Sequence, residues 1–70
     1  MDNYTVEIWE SQTKSKGYGR PAFVFSNILA ASPEMALRKA LHDNNIHTVF
    51  YAEVIWNDGR DRQKFENYAL

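Results

Sequence analysis

Residues 30–41 read AASPEMALRKAL and predict a single short helix with a marked start. Ser32 suits the N-cap, because its hydroxyl can accept a hydrogen bond from a free amide of the first turn. Pro33 suits the first helical position, where no amide donor is needed, and Glu34 complements the positive end of the helix dipole. Strand-like segments lie on both sides of this helix, so the stretch decides the architecture.

The predicted helix has one narrow apolar stripe and one polar face. The stripe comprises Ala36, Leu37, Ala40 and Leu41, and the residues expected to face solvent are Glu34, Arg38, Lys39 and His42. The helix is expected to end at residues 43–45, because Asn tolerates the left-handed conformation of a helix stop. A helix of about three turns needs tertiary packing to persist.

Two strands are predicted before the helix. Residues 4–10 alternate apolar and polar side chains, which is the pattern of a half-buried strand. Residues 11–21 contain two glycines, a proline and small polar residues, and predict a long hairpin loop. The second strand runs from Ala22 to about Ala30.

A third strand is predicted from about His47 to Trp56. Residues 57–59, Asn-Asp-Gly, are a strong turn signal, and residues 60–70 are expected to form a short fourth strand or a packed arm. Residues 1–70 therefore read as a single α+β domain of ββαβ type. A right-handed crossover gives an antiparallel sheet of order 2-1-3, with a fourth strand beside strand three and the helix on one face.

The alternation predicts which side chains face the helix and which do not. The helix side is expected to hold Val6, Ile8, Val24, Ile28, Phe50 and Val54. The opposite face is expected to hold Trp9, Phe23, Phe25, Tyr51 and Ile55. An uncovered aromatic surface of this kind indicates an interface with a partner or a second copy. Two alternatives are that the C-terminal arm covers it with Phe65 and Tyr68, and that it stacks nucleic-acid bases.

Composition limits the classes of function. The 70 residues include no cysteine and two histidines, so disulfides are excluded, and oligomerisation or partner binding remains as a support for so small a core. The net charge is −1, whereas a dedicated duplex-binding domain usually carries a clear excess of positive charge. Residues 11–21 are locally basic, however, and this loop could grip phosphates or dock on an acidic protein surface.

Catalytic and targeting signals are weak. Ser26 and Ser32 have structural explanations, His42 and His47 lack the partners of a metal site, and residues 58–66 alternate in charge. We therefore expect a non-enzymatic protein without a cofactor or metal. The N-terminus does not resemble a signal peptide, and no apolar run reaches membrane-spanning length, so a cytoplasmic protein is expected.

The outline of residues 4–10, 23–29, 32–40 and 49–56 resembles two families. One is the small non-catalytic B subunit of the phenylacetyl-CoA oxygenase complex. The other is the group of phage-encoded inhibitors of host defence that includes anti-CRISPR proteins. Both resemblances imply a protein that works by occupying a surface, in the host cytoplasm if phage-encoded. The basic loop matches neither family, and no functional residue carries over.

The sequence therefore predicts a small binding protein that acts by protein–protein contact, as an inhibitor of a host defence or nucleic-acid-processing enzyme. The alternatives are a nucleic-acid-binding module that uses residues 11–21 and a structural subunit of a larger complex. A homodimer that forms through the aromatic face of the sheet is a further alternative. The candidate partner-binding residues are Lys14, Lys16, Tyr18 and Arg20 on the loop, and Trp9, Phe23, Phe25 and Tyr51 on the sheet.

Overall fold

The computed structural model describes residues 1–10 and 19–70. The elements, in chain order, are β1 (Asp2–Trp9), β2 (Phe23–Ala30), α1 (Pro33–Asp43), β3 (Thr48–Trp56) and β4 (Asp61–Ala69). The four strands form one sheet of order β2-β1-β3-β4, in which all neighbours are antiparallel. The predicted α+β class, the 2-1-3 order and the place of the fourth strand beside strand three are confirmed.

Helix α1 is capped by a side chain at its start and by backbone hydrogen bonds at its end. The Ser32 hydroxyl accepts a hydrogen bond from the Met35 amide at 3.2 Å, and Pro33 occupies the first turn. At the other end, the Ile46 amide donates to the Leu41 carbonyl at 2.9 Å and the Asn45 amide to the His42 carbonyl at 3.3 Å. This is the Schellman pattern, and Asn45 adopts the left-handed φ of 57° that it requires.

The core lies between α1 and one face of the sheet. The predicted stripe of α1 is fully buried, and the helix crosses β2, β1 and β3. Strand residues that close this core are Tyr4, Val6, Ile8, Val49, Ala52 and Val54. Strand β4 joins the helix through Tyr68, whose hydroxyl donates to Glu34 Oε2 at 2.9 Å and accepts from Arg38 Nη1 at 3.2 Å. Phe65 and Tyr68 thus pack on the helix side and do not cover the opposite face.

A β-bulge in β2 changes the predicted faces. Tyr4 pairs with Ile28 and Val6 pairs with Phe25, so β2 contains one more residue than β1 between these two pairs. Asn27 lies in that span with φ 60°. Because the extra residue reverses the alternation, Phe25 and Ile28 both pack on the core, and the predicted place of Phe25 on the opposite face is wrong.

Two neighbours of the bulge follow the same reversal. Phe23 stacks on Phe25, with ring centroids 6.0 Å apart and planes 7° apart, and lies opposite Ile8 on the helix side of the sheet. Val24 lies opposite Glu7 on the other face and is exposed, although the alternation placed it under the helix. The sequence prediction therefore exchanged the two faces for residues 23–25.

A second irregularity moves Phe50 out of the core. Val49 and Ala52 both belong to the core although they are three residues apart, and Phe50 is exposed. On β4, Asn67 has a φ of 51° and lies between Tyr68 and Glu66, the partners of Val49 and Tyr51. The regular alternation is interrupted here in both strands, so Phe50 does not lie under the helix as predicted.

The N-cap gives a direct test of the fold. Replacing Ser32 with Ala leaves the Met35 amide without its acceptor, and we expect a loss of about 1 kcal/mol in the free energy of unfolding. Urea denaturation followed by circular dichroism measures this loss. The control is Ser26→Ala at an exposed site on β2, for which we expect a change within about 0.5 kcal/mol. Equal stability of both variants would contradict the assigned cap.

Candidate functional site

Strand β2 is one edge of the described sheet. It pairs with β1 on one side, and in residues 1–10 and 19–70 no strand pairs with its other side. The outward amide and carbonyl groups of an edge strand are a ready template for a further strand. The chain has no charged residue between Arg20 and Glu34, so the whole of β2 is uncharged. Natural proteins commonly protect such an edge with charges, and β2 has none.

Apolar side chains are exposed along this edge. Val24 is 52% exposed and Leu29 is 54% exposed, and Phe23 is also exposed. A surface groove of about 470 Å³ lies between the end of β2 and helix α1; Leu29 and Ala30 line it from the strand, and Met35, Arg38 and Lys39 are among the helix residues that line it. We call β2 together with these exposed side chains the β2 edge. It offers apolar contact area beside backbone groups that no described strand pairs with, and strand addition uses both.

The other edge of the sheet has the opposite character. Strand β4 carries Asp61, Arg62, Lys64 and Glu66 within nine residues. Most of its side chains are exposed, apart from the half-buried Phe65 and Tyr68. Charged side chains on an edge strand disfavour pairing with another chain, because the added strand would have to desolvate or oppose them. Within the described residues, the two edges of one sheet are therefore unequal: β4 is charged and β2 is not.

The face opposite the helix, the polar face, is organised around a buried carboxylate. Glu53 is 3% exposed. Its Oε2 accepts a hydrogen bond from the Tyr51 hydroxyl at 2.8 Å, and its Oε1 pairs with the Arg62 guanidinium. Glu53 also lies directly opposite Glu7 on β1 and Lys64 on β4. Because like charges in opposite positions repel, the contacts with Arg62 and Tyr51 offset the unfavourable Glu7 position.

The two aromatic residues of the polar face are buried. Trp9 and Tyr51 lie opposite each other on β1 and β3, with ring centroids 5.3 Å apart. Burial, and then the hydrogen bond to the Glu53 carboxylate, raise the pKa of the Tyr51 phenol above its usual value. The Trp9 Nε1 group is buried and has no hydrogen-bond partner among residues 1–10 and 19–70. These two side chains therefore offer little surface to a partner, in contrast to the exposure that the sequence predicted for them.

Among the described residues of the predicted site, the structure brings Trp9 and Tyr51 together in one pair and Phe23 and Phe25 together in another. Lys14, Lys16 and Tyr18 lie outside the described residues, and Arg20 is exposed just before β2. Trp9 and Tyr51 are buried on the polar face. Phe23 and Phe25 belong to the helix side of β2, where Phe23 is exposed and Phe25 is half-buried.

Sequence reasoning missed the residues that define the polar face and the bulge. Glu53 interrupts the otherwise apolar run of β3, and that interruption is the signal that a buried pair was needed. Asn27 stands in the middle of the apolar β2, where an Asn that tolerates a left-handed backbone indicates a bulge. The edge position of β2 itself followed from the predicted strand order.

Residues 1–10 and 19–70 bring together no group of three His, Cys, Asp or Glu side chains that could hold a metal ion. In the same residues, no helix combines the length and the apolar character needed to cross a membrane. Comparison of the chain with protein-family models, with curated proteins and with solved structures found no match.

The Glu53–Arg62 pair gives a prediction about stability. Replacing Arg62 with Met leaves a buried carboxylate with one donor, and we expect a loss of about 1–3 kcal/mol. The Arg62 side chain is 49% exposed. Replacing the other partner, Glu53→Gln, therefore lets the guanidinium turn to water, and this variant should lose less unfolding free energy than Arg62→Met. Urea unfolding of both variants and of the double variant measures the coupling. The control is Lys64→Met, opposite Glu53; if it costs as much as Arg62→Met, the assigned pair is wrong.

The Tyr51 phenol gives a prediction about pH. Its pKa is raised in the folded chain, so the folded state holds the proton more tightly than the unfolded state. Stability should therefore fall as the pH rises above about 10, the ordinary tyrosine value. We expect the decline in unfolding free energy between about pH 8 and pH 11 to be smaller in Tyr51→Phe. The pKa of Tyr4 is also raised, and its contribution to the decline in unfolding free energy is the same in both proteins. Parallel curves would contradict the assignment.

Proposed function

We propose that this chain is a small binding protein that acts by protein–protein contact, and that it makes this contact through the β2 edge. The observation that carries the proposal is the inequality of the two edges. Strand β2 is uncharged and exposes Val24 and Leu29, whereas β4 is lined with charges. An extended segment of a partner would add to β2 by main-chain hydrogen bonds, with its side chains against the exposed apolar positions.

The polar face supports this choice of surface. Its buried carboxylate is occupied by internal partners, Tyr51 and Arg62. Its aromatic pair, Trp9 and Tyr51, is buried. The β2 edge, in contrast, combines a row of backbone groups that no strand in residues 1–10 and 19–70 pairs with and apolar side chains that are already in solvent. Burial of such side chains contributes roughly 25 cal/mol per Å² of apolar surface, and the edge is where this contribution is still available.

Inhibition of a host defence or nucleic-acid-processing enzyme stays a prediction within this proposal. The nucleic-acid alternative also stays a prediction, since Lys14, Lys16 and Tyr18, on which it depends, lie outside the described residues.

Strand addition can be tested with a displayed library of random linear peptides. We expect enrichment of extended peptides with apolar residues at alternate positions, because side chains of an added strand alternate between faces. Purified peptides should bind Val24→Lys at least about tenfold more weakly. This variant should fold, since Lys at position 24 would lie opposite Glu7.

The matched control for the peptide experiment is Gln63→Lys, which adds the same charge at an exposed position of β4. It should bind the selected peptides as the unchanged chain does. Equal binding by both Lys variants would show that the peptides contact another surface. A monomeric chain that enriches no peptide dependent on Val24 would overturn the proposal.

A further inference from the structure

We infer that the partner strand of the β2 edge is β2 of a second copy of this chain, so that two sheets of four strands join into one continuous antiparallel sheet. The inference rests on the proposed function of the β2 edge and names its partner. It is carried by three features: the absence of charge on β2, the charges on the opposite edge strand β4, and the antiparallel direction of the existing strand pairs.

Because β2 carries no charge, it can pair with a second copy of itself without electrostatic repulsion. A two-fold axis between two edges brings a stretch of sequence against the same stretch running in the opposite direction. Any charge near the axis would then face its own copy, and like charges in opposite positions are unfavourable. No charged residue occurs between Arg20 and Glu34, so this penalty does not arise for β2. The exposed apolar side chains Val24 and Leu29 would instead be removed from water.

The nature of the opposite edge makes the assembly stop at two copies. Joining two sheets of order β2-β1-β3-β4 through β2 gives a sheet whose two outer strands are both β4. Each β4 carries Asp61, Arg62, Lys64 and Glu66, which disfavour further strand addition. Because the contact uses the same surface on both copies, it is closed and does not propagate into a filament.

The existing strand pairs set the direction of the joint. Every neighbouring pair in the sheet is antiparallel, and a two-fold axis between two β2 strands continues that pattern. The bulge at Ser26 and Asn27 divides β2 into two regular arms, residues 23–25 and 28–30. A bulge twists an edge strand and limits its regular pairing, so one of these arms holds the centre of the joint. Val24 and Leu29 report on one arm each.

The experiment is the solution mass of the purified chain, by light scattering coupled to size exclusion, over a dilution series. We expect twice the chain mass of 8.2 kDa at high concentration and a shift to the single mass on dilution. Val24→Lys or Leu29→Lys, whichever lies in the joining arm, should raise the dissociation constant at least about tenfold. Gln63→Lys should leave it unchanged, and circular dichroism checks that each variant is folded.

The outcomes separate this inference from the proposed function. A monomer at all concentrations would overturn the second copy as partner, and peptide selection would then decide the proposed function alone. A dimer that survives both Lys substitutions on β2, or that Gln63→Lys disrupts, would also overturn the inference. Oligomers larger than two would contradict the closed arrangement. A dimer weakened by one β2 substitution and insensitive to Gln63→Lys supports it.

Discussion

One helix of eleven residues has to close the core of a four-stranded sheet, and the rest of the structure follows from that limit. Helix α1 places four small or aliphatic side chains over β2, β1 and β3. It can do so for one face only. Strand β4 packs Phe65 and Tyr68 on the helix side, and the Tyr68 hydroxyl contacts both Glu34 and Arg38. The second face and the two edges must therefore be stabilised by other means.

The chain treats those three remaining surfaces differently. On the polar face, a buried glutamate is satisfied by a phenol and a guanidinium, so that apolar area is replaced by a paired charge. Such a pair contributes little net stability but strongly penalises the loss of one partner. The β4 edge carries charges of both signs, which disfavour pairing with another chain. The β2 edge has neither device, and this difference is the physical basis for proposing that a partner strand adds to it.

Sequence reasoning recovered the parts of the fold that depend on local chemistry. The cap at Ser32, the helix stop at Asn45 and the turn at residues 57–59 each use a residue type that suits one backbone conformation. The strand order followed from the chirality of the crossover. The assignment of faces failed at residues 23–25, because strict alternation cannot register the extra residue of β2, and at Phe50, where the alternation is interrupted in both β3 and β4. One bulge exchanges the two faces for every residue beyond it, and the candidate site inherited that error.

The central claim is that the β2 edge is where this chain pairs with a partner strand, and amide hydrogen exchange tests it most directly. Exchange is measured by NMR at a low and a high concentration of the chain. The account predicts that amides of Phe23–Ala30 that do not bond to β1 become protected at high concentration, while those of Asp61–Ala69 do not change. Protection that appears on β4 and not on β2, or rates on β2 that are independent of concentration, would contradict self-pairing through this edge.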